Sequence, residues 1–133
     1  MQYGYIDILF LNISEITYNI KQLGIKSISS EDIYSSYGYN DIVYKYLAKG
    51  IDLAKKGYKS DKLKSELSFE LSKICGNSKI DDIRFKSLHI VRSLIEPMIK
   101  GDYDFVLEFS KYYCTKEVYS VLSETFKRFL NVI

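Results

Sequence analysis

The one histidine of this 133-residue chain, His89, lies three residues before Arg92, and helical positions three apart are neighbours. Lys86, three residues earlier, falls beside them. Lys100, eleven residues on, returns to within about 20° of the same line, three turns away. One helical face therefore gathers Lys86, His89, Arg92 and Lys100, with Ile90, Val91, Leu94 and Ile95 opposite as a hydrophobic anchor. Arginine is scarce: sixteen of the nineteen basic residues are lysine, and two of the three arginines, Arg84 and Arg92, flank His89. Cations side by side repel unless an anion compensates them. A phosphate or polyphosphate accepts arginine bidentately and lysine as a point charge, and histidine donates hydrogen bonds to it. Two readings of the face stay open: an anion site, and a solvated basic stripe that Glu96 partly neutralises.

Pro97 has no backbone donor and disfavours helical geometry at Glu96. The helix is therefore expected to be interrupted there, with a bend that folds Lys100 over a ligand. On a straight rod Lys100 would stand about 16 Å from His89. No metal chemistry is expected. Cys75 and Cys114 are two thiols without a CxxC or a second histidine, whereas zinc and iron–sulfur sites usually need four ligands. Both are expected as free, buried thiols. Asp81, Asp82, Asp102 and Asp104 form no pair suited to a two-metal site. Asp81-Asp82 reads as favourable charge at a helix N-terminus.

The elements that carry these residues read as helices, because apolar positions recur at three- and four-residue spacing. Tyr5 to Leu23 forms the first, ended by Gly24. Ser29-Ser30-Glu31-Asp32 caps a short second, and Asn40 or Asp41 caps a third running towards Gly57. Ser60-Asp61 opens a fourth, with Leu63, Leu67, Leu71 and Ile74 inward and Gly76-Asn77 closing it. Ile80 to Lys100, Tyr103 to Tyr113 and Thr115 to Leu130 complete the set. The stretch from Tyr3 to Leu11 has β-propensity enough to form a strand instead; helix is the preferred reading. The fold class is all-α, a single helical domain over residues 1–133.

Composition excludes several classes. A 47% hydrophobic chain with one proline is neither disordered nor collagen-like. No apolar run approaches the roughly 20 residues that span a bilayer. Met1 to Tyr5 lacks a signal-peptide start, so a cytoplasmic protein without membrane partners is expected. A net charge of +2 is too small for nucleic-acid binding by bulk electrostatics. The thirteen tyrosines suit half-buried helix positions better than base stacking. Lys55, Lys56, Lys59, Lys62 and Lys64 read as a solvated face, or as a track for a phosphate backbone.

The pattern His89-x-x-Arg92, five intervening positions, Met98-Ile99 and then Lys100-Gly101, followed by amphipathic Phe105 to Phe109, resembles the C-terminal domain of the large subunit of archaeal and eukaryotic DNA primases. The likeness is confined to the chain after residue 70. It implies that His89, Arg92 and Lys100 contact the triphosphate of the nucleotide that starts a primer, ATP, GTP or another NTP. Lys86 and Arg84 are supporting candidates. The family domain holds a four-cysteine iron–sulfur cluster, and only Cys75 stands near a cluster position. The resemblance is therefore to a cluster-free, freestanding relative: the small non-catalytic third subunit of Sulfolobus-type heterotrimeric primases. It implies the catalytic and large primase subunits, the template DNA and the nascent primer as partners. It also implies no catalytic residue and no cofactor in this chain.

Two other classes compete. Arg84 and His89 have the Arg-x4-His spacing of HEPN ribonucleases, although a straight helix sets them about 140° apart. A helical interaction module with an apolar groove and no nucleotide site is the third.

Overall fold

The computed structural model describes residues 4–38, 40–77 and 79–131. Capping chemistry sets most of its helix starts. The first helix, α1 (Tyr5–Leu23), leads into a single 3-10 turn, Ile25–Ser27. Ser29 then caps α2 (Ser30–Tyr37) in a reciprocal box: its hydroxyl accepts from Asp32 N at 3.1 Å, and its own N–H donates to the Asp32 carboxylate at 2.9 Å. Asp41 accepts from Val43 N at 2.8 Å to open α3 (Ile42–Lys55). After α4 (Ser60–Asn77), Asp81 accepts from Arg84 N at 2.8 Å to open α5 (Asp82–Ile99). Asp102 does the same for α6 (Tyr103–Ser110) at 3.1 Å, and α7 (Lys116–Asn131) follows. Each cap satisfies an N–H that the helix leaves open. The class is all-α, with seven α-helices and no strand among the described residues. No described helix is long and apolar enough to cross a membrane.

The helix at the centre is α5, which packs against α1, α3, α4 and α6. Ser87, Leu88, Ile90, Val91, Leu94, Ile95 and Met98 are its buried positions, the 3.6-residue stripe read from the sequence. The closest approach is to α3. A Cβ on Gly50 would overlap Ile95 Cδ1 and lie 3.3 Å from Ile95 Cγ1 and Cγ2, so the two helices meet where one has no side chain. The core continues through Leu9, Phe10 and Ile13 of α1, Tyr46 and Leu47 of α3, and Leu63 and Leu67 of α4. Tyr46 is buried, with its hydroxyl donating to the Leu67 carbonyl at 2.7 Å. Asp7, also buried, accepts from Thr115 N at 2.9 Å and from Gly4 N at 3.4 Å, joining the start of α1 to the approach to α7.

Two expectations need correction. Pro97 does not interrupt α5, which continues through it to Ile99. Proline costs the helix the bond to the carbonyl of residue i−4, here Ser93, an exposed residue on the outward side of α5. The helix ends instead at Gly101, whose φ of +68° reverses the chain and whose bare Cα lies against α1. A Cβ there would stand 2.8 Å from Lys21 Cα. The sixth helix stops at Ser110, short of Tyr113; turns at Lys111 to Tyr113 bring Cys114 N to the Ser110 carbonyl at 2.9 Å. Helix replaces the strand alternative over Tyr5–Leu11, while Tyr3 lies outside the described residues.

Gly50→Val is expected to lower stability by about 1–3 kcal/mol through overpacking against Ile95. The measurement is a urea midpoint shift at unchanged slope. Truncating Ile95 to Ala in the same chain should cost less than in the parent, since the two residues share one space.

Candidate functional site

The outward face of α5 is what its packing leaves uncovered. At about 100° per residue, His89 lies near the middle of that face, with Lys86 and Arg92 about 60° to either side. All three side chains are exposed, and the flanking two lean outward from the helix in opposite directions. The Lys86 ammonium stands 5.4 Å from the centroid of the Tyr113 ring, a cation–π contact, and no carboxylate among the described residues pairs with it. The Arg92 guanidinium reaches α4, where Nε and a terminal nitrogen donate to Ser68 Oγ at 2.9 and 2.7 Å. Its partner is neutral, and no carboxylate among the described residues pairs with it. The His89 ring meets Phe85 edge-on, centroids 4.8 Å apart. Phe85 is itself exposed, so the imidazole rests on an aromatic edge, with no polar side-chain partner among the described residues.

Lys100 lies elsewhere. Without a bend at Pro97 it stays three turns beyond His89, about 16 Å by helical rise. Its Nζ is 3.0 Å from Glu96 Oε1, and Lys64 of α4 approaches Glu96 Oε2 at 3.6 Å. Glu96 projects between Arg92 and Lys100 on the same face, so its carboxylate divides the expected cluster in two. Lys86, His89 and Arg92 form one part, without a carboxylate partner among the described residues; Lys64, Glu96 and Lys100 form an ion-paired second part.

Arg84 belongs to neither. It donates to Asp81 at 2.7 Å and its guanidinium lies 5.0 Å from the centre of the Tyr5 ring, while Tyr5 donates to Asp41 at 2.7 Å. Arg84 thus ties the starts of α5, α1 and α3 together. The helix is unbroken between Arg84 and His89, so the two point to different sides and share no pocket.

Partners from other helices were not read from the sequence. Ser68 and Lys64 each follow an inward leucine, Leu67 and Leu63, by one position, which sets them at the edge of the buried stripe of α4; that spacing is a usable signal. Tyr113 had none, since it arrives from the turn after α6. The lysine run separates as well. Lys55 donates to the Ile28 carbonyl at 2.7 Å, Lys62 sits 4.5 Å over the Tyr58 ring, and Lys64 pairs with Glu96.

Among the described residues no group of three or more His, Cys, Asp or Glu side chains is placed to hold a metal. Cys75 and Cys114 are free and half-buried. Burial, with the charge of Asp7 and a hydrogen bond to it, pushes the Cys114 thiol up to about 12. Thiolate is the reactive form, so iodoacetamide at about pH 8 should spare Cys114 in the folded chain and modify it after denaturation. Modification at equal rates in both states would show that the thiol is open.

The hydrogen bond from Lys100, helped by the charges of Lys100 and Lys64 and opposed by burial, holds the Glu96 carboxyl below its ordinary value of 4.5. A folded-state value below the unfolded one contributes stability above pH 4.5, and that contribution is lost as pH falls through the folded value. Urea unfolding from about pH 7 down to about pH 3 should therefore lose stability more steeply in the parent chain than in Glu96→Gln. Parallel curves would remove Glu96 from this role.

Comparison with protein-family models, curated proteins and solved structures finds no match to this chain.

Proposed function

We propose that this chain is a non-catalytic accessory subunit of a DNA primase, similar to PriX, that holds the initiating nucleotide by its triphosphate on the outward face of α5. The observation that carries this reading is the group Lys86, His89 and Arg92: three exposed basic side chains on one helical face, none with a carboxylate partner among the described residues. Lys86 and Arg92 lack a compensating anion, and a polyphosphate offers several anionic oxygens to supply one. Arg92 would exchange the neutral Ser68 hydroxyl for phosphate oxygens, which add charge neutralisation to hydrogen bonding. Lys86 would add a point charge from one flank, and His89 would donate from the centre.

Lys100 joins only by exchanging Glu96 for phosphate. Arg84, held by Asp81 and Tyr5, acts as support for the start of the helix. The contribution to primer synthesis is proximity. A nucleotide held by its triphosphate keeps its 3′-hydroxyl free for a second nucleotide in the catalytic subunit, which supplies the metal-dependent phosphoryl transfer. The large subunit, the template and the nascent primer complete the assembly.

ATP or GTP should raise the thermal midpoint of the full chain, and Arg92→Ala should weaken that binding about tenfold or more, the loss expected for one charge-assisted contact. Ser68→Ala serves as the control, because it frees the guanidinium without removing it. In a reconstituted primase, Arg92→Ala should depress initiation and spare extension of a supplied primer. Equal loss of both activities in a folded variant would overturn the initiation role.

A further inference from the structure

We propose that Phe85 is the stacking platform for the base of the nucleotide held on the outward face of α5. The site then takes nucleoside triphosphates by the flat face of the base and not by its hydrogen-bonding edge. This rests on the triphosphate reading of Lys86, His89 and Arg92 and adds an uncharged residue to it. Phe85 and Arg92 are seven residues apart, which places them within about 20° of one line and about 10 Å apart by helical rise. His89 lies between them, about one turn from each. A ligand laid along this line meets an aromatic ring, an imidazole and a guanidinium in that order. A nucleoside triphosphate presents its base, its first phosphates and its terminal phosphate in the same order.

The Phe85 ring is 47% exposed and meets His89 edge-on with centroids 4.8 Å apart. A member of the anion-binding group thus positions it, while much of its surface stays open. Two other exposed rings beside the group already carry a cation. Lys86 stands 5.4 Å from the Tyr113 centroid, and Lys73 stands 5.3 Å from that of Phe69, the neighbour of Ser68 on α4. No cation among the described residues covers Phe85. Charge then orients the ligand. Asp82, exposed at the start of α5, projects within about 20° of the direction of His89, and Asp81 precedes it. These carboxylates turn phosphate away from the Phe85 end, which tolerates an uncharged base, and leave the phosphates to His89 and Arg92. Asp81 is occupied by the N–H and guanidinium of Arg84, and Asp82 has no hydrogen bond among the described residues to fix it. No carboxylate or amide is therefore held in place beside the ring to read the edge of a base. Stacking on an aromatic ring accepts any base, because every base has a π-face.

The test is calorimetric titration of the full chain with ATP, GTP and inorganic triphosphate. Both nucleotides should bind about tenfold more tightly than triphosphate, the difference expected for one stacked base, and within about threefold of each other. Phe85→Ala, at an exposed position, should bring ATP down to the affinity of triphosphate and leave triphosphate binding as it was. Phe69→Ala should change neither. The chain has no tryptophan, so Phe85→Trp supplies a single indole. ATP should quench its fluorescence by stacking, and triphosphate should not. The proposal is overturned by triphosphate binding as tightly as ATP, by equal weakening of both ligands in Phe85→Ala, or by a preference of about tenfold between ATP and GTP. Equal affinity for ATP and triphosphate, with both weakened in Arg92→Ala, strikes the platform and leaves the anion site standing. Binding of neither ligand removes both.

Discussion

The packing of Ile95 onto the bare backbone of Gly50 is the constraint on which the remaining architecture turns. It lets α5 and α3 approach where any side chain on Gly50 would intrude, and so fixes the rotation of α5 about its axis. With Ile95 directed at α3, the 100° step per residue sends Val91, Leu94 and Met98 into the core. The outward direction is then decided for Lys86, His89 and Arg92 without any interaction of their own. Rotation of α5 by one position would bury a charge in the core, which costs several kcal/mol even after relaxation. The exposed basic face is thus held by apolar packing on the far side of the same helix.

Electrostatics then divides that face, and magnitudes decide how firmly. The Lys100–Glu96 pair lies one turn apart with the lysine 64% exposed, and such surface pairs contribute about 0–1 kcal/mol. The pair therefore holds Lys100 only weakly, and Glu96 keeps the Lys64 and Lys100 ammonium groups from repelling one another. Arg92 is in a similar position, since Ser68 satisfies its donors without neutralising its charge. Arg84 differs. Paired with Asp81 and stacked on Tyr5, at the N-terminal end where Asp81 also caps α5, it has structural work on three sides.

Local rules made most of the fold legible. The limits of α1, the Ser29 box and the Asp41 cap follow from side chains within four residues of the feature they create, and the buried stripe of α5 follows from its period. What the sequence left hidden depends on other elements. Pro97 reads locally as a break, but the lost bond falls at an exposed residue in the last turns of a helix anchored by buried Met98, so packing outweighs it. The partners of the site residues were hidden for the same reason. Ser68, Lys64 and Tyr113 reach α5 only once the chain has folded, and no spacing rule connects residue 92 with residue 68.

This distinction bears on how much of the primase-like pattern needs a functional explanation. Gly101 is required by its positive φ and by the Lys21 backbone beside it. Met98 is wholly buried, and Ile99 packs half-buried against the core. Packing and chain reversal therefore account for the apolar pair and the glycine, which any helix ending in this way against a neighbour would need. Lys100 has a local partner in Glu96. His89 and Arg92 remain: neither is buried, neither caps a helix, and the one tie between helices that Arg92 makes could be made by an uncharged donor. A guanidinium on a neutral hydroxyl, beside an imidazole with no polar partner among the described residues, is not accounted for by packing. On the proposed reading, the functional content of the pattern rests on those two residues, with Lys86 beside them.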